Sequence, residues 1–374
     1  MKYILFIILF LSFNNLMALD TKATHAIIVD FDTKDILFSK KHNDPTPPAS
    51  MTKIMTAYIV FDRIKNGYLA LDDIFIISHN AYKMGGSRMF LEKNSKVTVK
   101  DLLNGMIIQS GNDASVALAE SISGTEKEFS KLMNEYANKL NMKNTNFINS
   151  SGWPNPNHYS SMFDLYLLSN AIIKDFPELY KMFSGKRFKY NNITQPNRNT
   201  LLSKKNGIDG LKTGFVQNSG YGIAISSIKD NRRIIVVING LKSSRERKEE
   251  AQKLINWTYT NTSQITILKK GQILGNTDVW LGKEKTVNLI SSETVISALT
   301  FDQSQNIKIN ISYDKPIEAP ISNNQNIGSI DINIPNKKFN PIPLLTNKKI
   351  EKINPLLRIF SALNYLVFGN IEND

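Results

Sequence analysis

The sequence predicts an α/β (α+β) domain whose sheet is built from non-adjacent segments, then a small all-β domain, then a C-terminal amphipathic helix. Three observations carry this expectation. Strand-like runs open and close the stretch from Ala18 to Asn261, with helical periodicity between them. Beyond Asn261 the texture changes to short β-branched runs separated by Gly, Asn, Asp and Pro. The final stretch, "IEKINPLLRIFSALNYLVFGN", sets Ile353, Leu356, Leu357, Phe360, Leu363, Leu366 and Val367 in one stripe behind Lys348, Lys349 and Lys352.

Residues 1–18 carry one lysine, an apolar run from Tyr3 to Phe13 and a small residue, Ala18, at a suitable cleavage point, which together read as a secretory signal peptide. An uncleaved anchor is the alternative, and the run is short for one. "HAIIVDFDTKDILFSKK" reads as a hairpin turning at Asp32-Thr33-Lys34. From Ser50 to about Glu178 the pattern is mainly helical, as in "VTVKDLLNGMIIQ" and "DASVALAESI". "GYGIAISSIKDNRRIIVVING" gives two strands around Lys229-Asp230-Asn231, and "SRERKEEAQKLINWTY" returns to an amphipathic helix. The catalytic domain is thus expected over residues 19–260 and the β-rich domain over 261–345. "NPIPLLTNKK" reads as a linker. Residues 346–374 read as an anchor whose basic lead-in and apolar stripe suit a helix lying in a membrane interface, the alternative being a helix docked on its own protein.

Composition removes several chemistries. The 374-residue chain has no cysteine, which excludes a disulfide framework, a thiol nucleophile and cysteine-ligated zinc together. Its four histidines, His25, His42, His79 and His158, show no metal-ligand spacing and read as ordinary surface or core residues, so neither a metal nor a cofactor is expected. No G-x-S-x-G elbow is present. A net charge of +13 without interleaved aromatics points away from nucleic acid and toward the polyanions an exported protein meets, lipid headgroups and acidic wall polymers. "YKMGGSRMFL" lacks the pattern of a phosphate loop, and its Gly85-Gly86 reads as a mobile lip of a cleft.

The chemistry-bearing stretch is "PPASMTKIMTAYIV". Two prolines cannot continue a helix backwards, and Met51, Ile54, Met55 and Tyr58 repeat at helical spacing, so a helix begins near Ser50. Lys53 then projects from the same face as Ser50, which suits an amine taking a proton from a hydroxyl. Alone, such a pair is ordinarily a helix cap and a solvated lysine. Two further triplets join it. "IIQSGNDAS" puts Ser110 and Asn112 in a turn between helical segments, and "GIDGLKTGFVQNSGYGI" puts Lys212, Thr213 and Gly214 at the start of a strand-like run.

The ordered set S-x-x-K, S-x-N, K-T-G resembles the penicillin-binding proteins and serine β-lactamases. The match extends over most of the chain, through "PASMTKIMTAYIVF", "VTVKDLLNGMIIQSGNDASVALAE", "MNEYANKLNMKNTNFINSSGWPNPNHYSS", "IDGLKTGFVQNSGYGIAIS" and "IEAPISNNQNIG". It resembles most the low-molecular-weight branch, the D-alanyl-D-alanine carboxypeptidases. That resemblance implies a transpeptidase-like antiparallel sheet between helical layers and an exported enzyme held at the periplasmic face of the inner membrane. It also implies peptidoglycan stem peptides as substrate and β-lactams as covalent inhibitors. Ser50 would be the nucleophile and Lys53 its base, kept partly neutral by burial and by the nearby Lys212. The backbone N–H groups of Ser50 and Phe215 would hold the oxyanion, Ser110 would relay a proton to the leaving amine, and Asn112 would hold the peptide. Lys212 and Thr213 would bind the terminal carboxylate, with Arg247 close by and Arg245 as its alternative. A D,D-endopeptidase, a β-lactamase and a non-catalytic wall-binding scaffold are the competing readings. The β-lactamase lacks its E-x-x-L-N segment here, and a scaffold needs none of the polar set.

Overall fold

The β-branched runs at the two ends of the first domain meet in one sheet. The computed structural model describes residues 19–203, 207–355 and 359; the segment expected as a signal and nearly all of the C-terminal stripe lie outside the described residues. Strands β1 (His25–Asp30) and β2 (Ile36–Lys40) form the expected hairpin. A 3-10 turn, Ala49–Thr52, runs directly into helix α1 (Lys53–Lys65). Helices α2 (Val99–Ile108), α3 (Asn112–Ser123), α4 (Glu126–Lys139) and α5 (Met162–Asp175) follow. Then come β3 (Ile208–Val216), β4 (Gly220–Lys229), β5 (Arg232–Leu241) and α6 (Ser244–Asn261). The strand order β2-β1-β5-β4-β3 puts β1 beside a strand some two hundred residues away, as the non-adjacent pattern requires. The antiparallel pairing of β3 with β4 sets Lys212 opposite Ala224 and Thr213 opposite Ile223. Lys212-Thr213-Gly214 therefore sits in the body of β3, the last strand of its sheet, rather than at its start.

Helix α1 is apolar nearly all round, and every residue from Lys53 to Phe61 is buried. A helix of that kind belongs in a core. Ile54, Met55, Ile59, Val60 and Phe61 are all at 0% exposure, each contributing about 1.5–3 kcal/mol of burial, which offsets the cost of carrying Lys53 inside with them. Two short antiparallel strand pairs escaped the sequence pattern, Ile74–Ile76 with Lys96–Thr98 and Arg187–Tyr190 with Ile193–Pro196. The second turns on Asn191 and Asn192, both at positive φ, the conformation that two-residue hairpin turns prefer.

The described residues divide into two compact units, the first comprising residues 19–28 with Phe38–Ile228 and Ile234–Trp257. The hairpin tips Val29–Leu37 and Lys229–Arg233 group with the second unit, which continues from Thr258. In that unit β6 (Thr262–Leu268), β7 (Ile273–Trp280), β8 (Thr286–Ser291) and β9 (Val295–Thr300) are followed by β10 (Lys308–Tyr313) and β11 (Ile317–Glu318). It is completed by β12 (Asn326–Ile334), β13 (Lys337–Lys338) and β14 (Ile342–Thr346). A seven-stranded sheet runs β10-β12-β14-β8-β7-β11, with β13 paired to β12, and β6 pairs with β9.

The linker reading of "NPIPLLTNKK" is corrected here. Ile342–Thr346 is an interior strand with Ile342, Leu344 and Thr346 buried. Pro343 is tolerated because it lies past the last pair with β8, Ser291 with Leu344, and its carbonyl accepts from Ser292 N–H at 3.3 Å. Ile350, which falls within the segment expected as an anchor, belongs to the β core, at 1% exposure with Leu289, Ile330 and Leu344. No helix among the described residues is long and apolar enough to cross a membrane.

Candidate active site

The turn Ala49–Thr52 leaves Ser50 free of capping duty. The residue before α1 is Thr52, and neither it nor Pro48, which opens the turn, makes a side-chain cap. Lys53 Nζ donates to Ser50 Oγ at 3.1 Å, to Asn112 Oδ1 at 2.7 Å and to the Ser151 carbonyl at 2.6 Å. Three acceptors fix the amine, and the one-turn spacing read from the sequence is what brings it to the serine. Lys53 is at 1% exposure, and burial pulls its pKa down to about 7 against the opposing pull of Asp113 and Glu126. The amine is thus divided between its two forms near neutral pH.

A cleft of about 600 Å³ opens in front of the pair, lined among others by Ser50, Ser110, Thr213, Gly214, Phe215 and Arg247. Ser110, at φ 69°, occupies the bend between α2 and α3. Gly214 is required there, since a Cβ would come within 2.8 Å of the Pro48 carbonyl oxygen. Lys212 lies behind the cleft at 1% exposure. Burial, then the charges of Lys53, Arg247 and Arg198, pushes it well below the usual lysine range. The second cation therefore acts on Lys212, while Lys53 is depressed by burial itself. An arriving carboxylate would favour the protonated form of Lys212.

Both arginine candidates line the cleft, but they are held differently. Arg245 is 88% exposed and paired to Glu249 at 2.8 Å, whereas the Arg247 guanidinium packs over the Tyr221 ring at 5.7 Å. Tyr221 in turn packs on Phe215, ring centroids 4.2 Å apart. Arg198, which no sequence pattern singled out, is a further cation on the cleft wall.

Asn112 links the lysine to a neighbouring segment. It is 7% exposed; its Oδ1 accepts from Lys53, and its Nδ2 donates to the Gly85 carbonyl at 2.9 Å. The backbone N–H of Asn112 donates to the Ser87 carbonyl at 2.7 Å. The Asp113 carboxylate accepts from the N–H groups of Met89, Phe90 and Leu91. The Gly85-Gly86 segment, expected as a mobile lip, is thereby fastened at several points. Gly86, at φ 73°, has no room for a Cβ, which would meet Asn112 Nδ2 at 2.9 Å.

His158 is a core residue beside the lysine. Ile148 N–H donates to its Nδ1 at 3.1 Å, so the ring proton is on Nε2 and is donated to Thr52 Oγ1 at 2.8 Å. Burial and the charge of Lys53 pull the histidine down to about 4. Between its ordinary 6.5 and about 4, the unfolded chain binds a proton the folded one refuses, so stability falls as pH falls through that window. A loss of about 3 kcal/mol is expected. Urea denaturation at both ends of the window, with His158→Gln as the variant lacking this titration, measures it.

Residues 13–243 match the family model described as D-alanyl-D-alanine carboxypeptidase, and residues 263–352 match that of the penicillin-binding protein 5 C-terminal domain. The chain is 37% identical over 332 residues to the D-alanyl-D-alanine carboxypeptidase DacD of Escherichia coli, covering 87% of this chain and 86% of that one. Penicillin binding protein 5 of Haemophilus influenzae superposes with TM-score 0.74 at 33% identity, covering 90% of this chain and all of its own. The D-alanyl-D-alanine carboxypeptidase DacD of Francisella tularensis superposes with TM-score 0.78 at 28% identity, over 90% of this chain and 95% of its own.

Proposed function

The chain belongs to the D-alanyl-D-alanine carboxypeptidase family of penicillin-binding enzymes, and we propose that it removes the terminal D-alanine from peptidoglycan stem pentapeptides through an acyl-enzyme on Ser50. The observation that carries this reading is the buried, partly neutral Lys53 amine 3.1 Å from Ser50 Oγ. Lys53 takes the serine proton as Oγ attacks the penultimate D-alanine carbonyl. The backbone N–H groups of Ser50 and Phe215 receive the oxyanion, and Ser110 passes a proton to the departing amine. Water then hydrolyses the ester. Thr213, Arg247 and the charge of Lys212 receive the terminal carboxylate, and Gly214 lets the bound chain approach β3 closely. Asn112 acts by positioning Lys53. Penicillin acylates the same serine.

Incubating the protein with a stem pentapeptide ending in D-alanyl-D-alanine, and following products by mass spectrometry, tests the reading. Loss of a single alanine, abolished in Ser50→Ala, is expected. If alanine release persists in the variant, Ser50 is not the nucleophile.

The domain plan, a signal over 1–18, a catalytic domain to about residue 260 and a β-rich domain after it, supports export to the periplasmic face of the inner membrane. The C-terminal stripe then holds the enzyme to the lipid surface. Because Ile350 belongs to the β core, the segment to remove begins after Asn354. Truncation there is expected to move the protein into the soluble fraction with activity retained; sedimentation with membranes would assign the attachment elsewhere.

A further inference from the structure

Once Lys53 has released its proton, its amine keeps two N–H groups and one lone pair. Asn112 Oδ1, at 2.7 Å, accepts from it, and so does the Ser151 carbonyl, at 2.6 Å. Ser50 Oγ, at 3.1 Å, is the contact of the three that can also donate. With both acceptors in place, the lone pair is left facing the serine proton. Without the Ser151 carbonyl the amine is free to turn, and the aim is lost. Whatever fixes that carbonyl therefore bears on acylation.

Ser150 and Ser151 are buried in a bend that Asn149 shapes locally, its Oδ1 accepting from the N–H groups of Gly152 and Trp153. Three helices hold the bend from outside. Thr56 of α1 and Ser115 of α3 both donate to the Ser150 carbonyl, at 2.7 and 2.8 Å. Glu126, the first residue of α4, takes the opposite side of the same residue: its Oε1 accepts from Ser150 N–H at 3.0 Å and from Ser150 Oγ at 2.7 Å. An acid in the first turn of a helix is ordinary, because it complements the dipole. Glu128 stands in that turn too and pairs with Lys131 at the surface, and Thr125 supplies the cap. Glu126 is half-buried and turned instead to a residue 24 positions away. Its charge adds a second effect, since Asp113 and Glu126 both favour the protonated form of Lys53. The other titratable groups around the amine are Lys212 and His158, which both respond to its charge.

Resting on the acyl-enzyme reading of Ser50, we propose that Glu126 is a positioning residue for acylation: through Ser150 it fixes the bend whose Ser151 carbonyl aims the Lys53 amine at the serine. The test measures the rate constant for penicillin acylation of the full-length protein across the range from about pH 5.5 to 9. Each time course is normalised to its own end point, so that only folded protein is counted. Glu126→Gln keeps an acceptor for Ser150 and removes the charge. Its plateau above neutral pH is expected within about threefold of wild type, while its acid limb moves down by about half a pH unit, making it about threefold faster than wild type near pH 6. Glu126→Ala leaves the Ser150 N–H and hydroxyl without that acceptor, and its plateau is expected to fall about tenfold or more. A merely structural role would lower the yield of labelled protein and leave the plateau and the acid limb of both variants at their wild-type values, a result that would overturn the proposal. Alanine release from a stem pentapeptide, followed in parallel on the wild type, reports the substrate separately. Normal penicillin acylation without that release would overturn the carboxypeptidase reading and leave the part of Glu126 to be decided by the two variants; no acylation of the wild type would overturn both.

Discussion

Replacing Lys53 by alanine lowers the rate constant for penicillin acylation of Ser50 by roughly 10³-fold, a magnitude in the range of lost general-base catalysis. Among the described groups near the serine, Lys53 alone combines contact with Ser50 Oγ and a pKa near neutrality, about 7. His158 does not substitute for it. Its ring nitrogens are committed and burial holds its pKa at about 4. Lys53→Arg is expected to be nearly as slow, because a guanidinium does not release its proton at the pH of the assay. In the wild type the acylation rate should fall about tenfold per pH unit below 7 as the amine takes up its proton, and level off above it. A time course of labelled-penicillin uptake from about pH 5.5 to 9 reads both effects. Acylation of Lys53→Ala within tenfold of wild type would assign the base elsewhere. The depressed pKa also has a thermodynamic side. Between about 7 and the ordinary 10.5, the unfolded chain holds a proton the folded one has released, so stability rises with pH across that window.

What could be read in the sequence, and what could not, follows from the range of the interactions. Ser50 and Lys53 are legible because their meeting is a property of one helical turn. The hairpin at Asp32-Thr33-Lys34 and the strands on either side of Lys229-Asp230-Asn231 are local too. The Ser151 carbonyl that holds Lys53 is 98 residues away from it, and a backbone acceptor leaves no mark in a side-chain pattern. Arg198 was hidden for a related reason, since one cation in a chain with 46 lysines and arginines carries no signal until the fold aims it. Arg245 and Arg247 sit in one charged run and are separated only when Glu249 takes the first and Tyr221 the second. The amide of Asn112 ties Lys53 to Gly85, a link visible only once three segments are brought together. Ile342–Thr346 was misread because prolines ordinarily mark loops, and the ladder that admits Pro343 depends on where β8 ends.

Gly152→Ala is expected to cost about 3 kcal/mol or more of stability and to lower acylation by roughly 10²-fold. The added Cβ would stand 1.8 Å from the Ala49 carbonyl oxygen and 2.4 Å from its carbon, at a φ of +80° that alanine already resists. The collision strikes two parts of the site together. Ala49 leads into Ser50, and Ser151, whose carbonyl holds Lys53 at 2.6 Å, is the residue next to the substitution. Neither backbone can retreat freely, because the turn is pinned by Met51 N–H on the Pro48 carbonyl and Gly152 N–H donates to Asn149 Oδ1 at 2.8 Å. Gly124→Ala is the matched control. Its φ is nearly the same, +77°, but nothing lies within 4 Å of the new methyl, so only the backbone strain of about 1 kcal/mol remains. Urea denaturation of the two variants separates collision from strain, and penicillin uptake by the folded fraction shows whether the serine has been moved. Equal stability in the two, with normal uptake, would mean that the turn before α1 yields without cost and that the placement of Ser50 does not depend on its packing against Gly152.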